Sequence, residues 1–137
     1  MKRLTFGPWV YYISEDHKPL QKEKCGKWMY FFEENREFAS KICEKAVEEK
    51  VVLEAKHSDK KSGVACFYLN CDDMAGHKKI IEFFLKNNLI RQTKTGKLYN
   101  ISYKLDNQTR NGEYAGKFES EIKLERFIDL VTREWKI

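Results

Sequence analysis

The chain has 137 residues, 42% of them hydrophobic and 14% aromatic, with a formal net charge of +5. Such a length fits a single domain, residues 1–137, whose core needs neither disulfides nor metal, and the hydrophobic and aromatic content favours a folded chain over a disordered one. The 26 Lys and Arg against 21 Asp and Glu form no basic stripe, so duplex nucleic acid is not the expected partner, whereas a small anionic ligand needs fewer charges.

In chain order, residues 7–13 are aromatic and β-branched and read as a strand, followed by a polar loop, 14–26, broken by Pro19. Residues 27–32 give a second strand. Asn35 can cap a helix to about residue 50, with Phe38, Ala39, Ile42, Cys43 and Ala46 on one side. Residues 51–57 and 64–70 form a hairpin around a turn at 60–63. Asp72 or Asp73 then starts a second helix whose inward positions are His77, Ile80, Ile81, Phe84 and Leu85. A connector leads to a strand at 99–106 and, after Gly112, to a returning strand near 114–118. Leu124, Phe127, Ile128 and Val131 mark a C-terminal helix. The order β-β-α-β-β-α-β-β-α predicts an α+β fold, a curved, mainly antiparallel sheet with about three helices on one face and the opposite face free.

The four cysteines, Cys25, Cys43, Cys66 and Cys71, match neither a C-x-x-C pair nor a zinc framework, so reduced thiols are expected and neither a metal nor a cofactor. No apolar run approaches membrane-spanning length and no secretory pattern opens the chain, which predicts a cytoplasmic protein.

The densest chemistry lies at 99–114, YNISYKLDNQTRNGEY. Alternation sets Tyr99, Ile101, Tyr103 and Leu105 against Asn100, Ser102, Lys104 and Asp106, so one strand face is polar. Gln108, Thr109 and Arg110 add an amide, a hydroxyl and a guanidinium. With Lys104 and Asp106 they suit phosphate, carboxylate or a nucleobase edge. Lys56 is the expected partner from another strand. Its neighbour His57 points to the opposite face and reads as a surface histidine, and His77 as a core-edge residue. Trp28, at a strand start beside a polar loop, is the candidate for stacking on a base, while Trp9 reads as core. No nucleophile elbow, P-loop or dinucleotide-binding glycine motif is present, so no catalytic residue is assigned. A lyase or phosphodiesterase built on Lys56, His57, Lys104 and Arg110 is the chemical alternative, and a protein-interaction domain the third.

Gly26-Lys27-Trp28, Ala55-Lys56 and Tyr103-Lys104-Leu105-Asp106 with Thr109 resemble the basophilic-leukaemia-expressed protein family, whose members carry a phosphothreonine lyase label. The resemblance spans roughly residues 9–114. It implies a fold like that of the cap-binding translation initiation factor, a curved antiparallel sheet with helices on its convex side, and a lyase role for Lys56, Lys104 and His57. The chain departs from the family pattern at Arg110, where an aromatic residue follows the threonine. The Lys-, Glu- and Asn-rich composition resembles that of proteins from low-GC bacteria or their phages. Together these features predict a small protein that binds a phosphorylated molecule, a nucleotide or nucleotide-derived signal, and sequesters it in the manner of a phage immune-evasion protein.

Overall fold

The structure is a computed structural model that describes residues 1–16, 20, 23–106 and 122–136. Its elements are β1 (Lys2–Phe6), β2 (Trp9–Ile13), β3 (Cys25–Phe32), α1 (Arg36–Glu48), β4 (Glu54–Ser58), β5 (Gly63–Asn70), α2 (Met74–Lys86), β6 (Lys104–Leu105) and one 3₁₀ turn, Leu124–Arg126. The strands make one open antiparallel sheet in the order β1-β2-β4-β5-β3-β6, which establishes the α+β class.

The first strand pair is tighter than the alternation of residues 7–13 suggests. Gly7 adopts a left-handed φ of 57° and turns the chain with Pro8, so Phe6 lies opposite Trp9 and residues 2–6 become an additional edge strand. Both long helices start where the capping residues require. The Asn35 side chain accepts from the Phe38 N–H and that of Asp73 from the Gly76 N–H.

Strand alternation and register sort every side chain of the sheet. Val10, Tyr12, Ala55, His57, Ala65, Phe67, Leu69, Trp28, Tyr30 and Phe32 share the face against which both helices pack, because Ala55 opposes Tyr12 and Phe67, and Phe67 opposes Trp28. Ile42, Ala46, Ile80, Ile81 and Phe84 close the core from the helix side, joined by Leu124, Phe127 and Ile128 from the C-terminal segment. Phe67 meets Phe84 edge-on at 5.2 Å between ring centres.

Two expectations are corrected. The third helix is a single 3₁₀ turn, because the Asp129 carboxylate accepts the N–H groups of Val131 and Thr132 at 2.8 Å and folds the chain back before a second turn can form. The strand at 99–106 contracts to Lys104–Leu105. Upstream of those two residues the backbone bonds instead to 122–124, with Tyr103 N–H donating to Ile122 O and Leu124 N–H to Ile101 O. The returning strand near 114–118 lies outside the described residues. Among the described residues no helix is long and apolar enough to cross a membrane.

Candidate functional site on the helix-free face

The face of the sheet turned away from both helices carries the remaining half of every strand. One cross-strand row runs Phe6, Trp9, Ser58, then Val64 and Phe31. The next runs Leu4, Tyr11, Lys56, Cys66 and Met29. Beyond them Lys27 opposes Tyr68 on one side and Lys104 on the other, and Asp106 follows at the sheet's end. The face is therefore divided into an aromatic half, where Phe6 and Phe31 are 72% and 56% exposed, and a charged half built around Lys27, Lys104 and Asp106.

Lys56 stands on the boundary. Its Nζ lies 3.9 Å from the centre of the Trp9 ring and 5.6 Å from those of Tyr11 and Tyr68. Three rings around one ammonium make a cation–π site. Among the described residues no carboxylate forms an ion pair with Lys56, and Glu54 and Asp106 act on it only through space. Burial against the rings moves its amine below the ordinary lysine range, with the Lys27 charge pushing the same way.

The charged half is tied together more directly. Lys27 Nζ donates to Asp106 Oδ1 at 2.6 Å, both side chains being largely shielded from solvent, and Cys25 Sγ reaches Asp106 Oδ2 at 3.7 Å. Burial first, then the Asp106 charge, raises the Cys25 thiol to about 12, and burial raises Cys66 to about 11. Neither thiol is a nucleophile near neutral pH. Burial likewise raises the Tyr68 hydroxyl above its usual range, leaving it a neutral donor.

Among the residues singled out in the sequence, Lys56, Lys104 and Asp106 therefore share one face. Trp28 does not. It is fully buried on the helix side, its Nε1–H donating to His77 Nδ1 at 3.0 Å, and has no ring surface open to a ligand. Gln108, Thr109 and Arg110 lie outside the described residues. Asn100 caps the backbone at Glu125 and Ser102 pairs with Lys123, so those polar residues of the 99–106 segment serve the C-terminal fold. His57 is not at the surface but in the core, accepting at Nε2 from the Tyr12 hydroxyl and donating from Nδ1 to Ser58 O.

Tyr11, Tyr68 and Lys27 are site residues that the linear reading overlooks, and Trp9, expected in the core, joins them on this face. Their signal was parity, since Trp9 and Tyr11 alternate with the core residues Val10 and Tyr12 and register then places them beside Lys56. A cavity of about 440 Å³ opens between the end of this face and the start of α2, lined by Glu54, Tyr68, Asn70, Asp73, Gly76 and Lys79 among others. It touches the face through Tyr68 and Glu54, and of the described residues predicted from sequence, Trp28, Lys56, Lys104 and Asp106, none lines it. Among the described residues no His, Cys, Asp and Glu cluster could hold a metal ion. No protein-family model and no curated protein sequence matches the chain.

Proposed function

We propose that the helix-free face binds a phosphorylated small molecule with a planar group, a nucleotide being the class that suits it, and holds it without turnover. The observation that carries this reading is Lys56, a half-buried cation without an ion-pair partner among the described residues, set among Trp9, Tyr11 and Tyr68. Aromatic surface suits a base, and a lysine beside it suits a phosphate. Lys27, ion-paired with Asp106, and Lys104 place further polar groups on the neighbouring strands, over a span of about 10–15 Å at normal strand spacing. Retention rather than chemistry is favoured because the described histidines, His57 and His77, are sealed in the core on the other side of the sheet. Sequestration of a nucleotide signal is the role such a binder would fill.

A lyase or phosphodiesterase is the second reading, and the observation for it is the lowered Lys56 amine, since a lysine that loses its proton more readily can act as a base. A thermal-shift screen against nucleotides, followed by chromatography of the recovered ligand, separates the two. A ligand at one hundred times its Kd adds about 2.7 kcal/mol of stability. Recovery of an intact ligand supports sequestration, and conversion supports the enzyme. Lys56→Ala should reduce the shift given by a nucleotide to that given by its nucleoside; an undiminished shift removes Lys56 from the site.

A further inference from the structure

We propose that Lys56 is an internal plug: its ammonium covers the face of Trp9, and only a ligand that offers a phosphate along with its planar ring draws the lysine away and opens the stacking surface. This rests on the nucleotide reading above and adds to it a basis for choosing phosphorylated ligands.

The geometry of the side chain carries the argument. Lys56 sits directly across from Tyr11 and Cys66, whereas Trp9 is one row further on, opposite Ser58. To reach 3.9 Å from the Trp9 ring centre the lysine stem must lean diagonally along the sheet, away from the row of Lys27. Leaning that way carries the ammonium away from the Lys27–Asp106 ion pair and onto the richest π surface of the three rings. The ring it covers is also the largest on this face, flanked by the exposed Phe6, and so the natural floor for a base.

A cation–π contact at a partly wet site is weaker than charge-assisted hydrogen bonds from an ammonium to phosphate oxygens. Phosphate therefore moves Lys56 off Trp9, whereas a nucleoside alone must displace the ammonium without compensation. Phosphate binding and base binding become positively coupled, and the coupling is reciprocal. A site with a fixed lysine and an open ring would show no such dependence.

The test uses the whole chain and titrates AMP, GMP, CMP and UMP, then the nucleoside of whichever binds, with and without inorganic phosphate. For the native chain, phosphate should tighten nucleoside binding by between about twofold and thirtyfold, the range of one cation–π contact. Lys56→Ala should bind the nucleoside tighter than the native chain by a similar factor, lose the response to phosphate, and no longer prefer nucleotide over nucleoside. Lys56→Arg should keep the coupling. Thermal unfolding of each variant establishes that it is folded. If a nucleotide binds the native chain but Lys56→Ala binds the nucleoside equally or more weakly, the plug is refuted while the nucleotide reading stands. If none of the four nucleotides binds, both are overturned together.

Discussion

The indole of Trp28 and the imidazole of His77 specify each other. Indole N–H can only donate, so His77 Nδ1 must be unprotonated, and its Nε2–H then donates to Cys71 O at 2.9 Å. Both rings are fully buried, and they meet edge-on with Tyr103 and Phe127 packed against them. Removing the donor leaves a buried acceptor unsatisfied and a void beside it, at a cost of about 2–4 kcal/mol. Trp28→Phe should therefore lower the melting temperature by about 5–15 °C. The added stability from a saturating nucleotide should remain, because Trp28 lies on the opposite face from Lys56. Loss of that increment in a folded variant would return Trp28 to the binding site.

At the scale of elements, β6 decides how the charged half of the site is built. It has two residues, and it docks only because Gly26 on β3 has no side chain. A Cβ there would strike Lys104 O and the Tyr103 ring, whose hydroxyl donates to Lys24 O and Leu69 O. Gly26→Ala must push β6 outward, at a cost of about 1–3 kcal/mol from overpacking. Asp106, one residue beyond β6, should then separate from Lys27. Thermal unfolding reads the first effect, and loss of the Lys27–Asp106 contact in a crystal structure of the variant reads the second; a variant as stable as the parent would show that β6 docking is not confined by Gly26. The same region shows what was legible in the sequence. Both long helices and strands β2 to β5 follow from periodicity and caps, since their signals are local. Residues 99–106 alternate equally well, yet Tyr99 is 47% exposed and the backbone pairs with 122–124. Alternation fixes which residues share a face, but not which partner the strand finds. The C-terminal apolar spacing likewise imitates a helix that the Asp129 side chain stops. Lys56 and Asp106 were legible from parity, whereas the Trp9 and Trp28 roles depend on the pairing of distant strands, which no local pattern records.

For the whole molecule the sheet separates two kinds of buried polarity, and pH distinguishes them. His57 and His77 lie on the helix side, and burial is the main force holding both below the ordinary histidine pKa. The unfolded chain then binds more protons than the native one below about pH 6.5, so stability falls as pH drops through that value, by up to about 1.4 kcal/mol per pH unit for each histidine. Above pH 7 both are neutral in either state and contribute no slope. The two are not equivalent. His57 Nε2 faces a hydroxyl that can turn from donor to acceptor, because Tyr12 also bonds Ser40. His77 Nδ1 faces an N–H that cannot, so its protonation breaks the Trp28 contact and it should dominate the slope. Asp72 and Asp129 are also held below their usual range, by the Lys24 side chain and by backbone N–H groups, but depressed carboxylates lose stability only below about pH 4. Denaturant unfolding at half-unit steps from pH 7.5 to 5 should show the decline beginning near pH 6.5, and Trp28→Phe, which frees His77 Nδ1 from the indole donor, should flatten it. An undiminished slope in that variant would make burial of the imidazoles, and not the indole donor, the cause of the pH dependence, and a flat native profile would mean that both imidazoles accept protons within the fold.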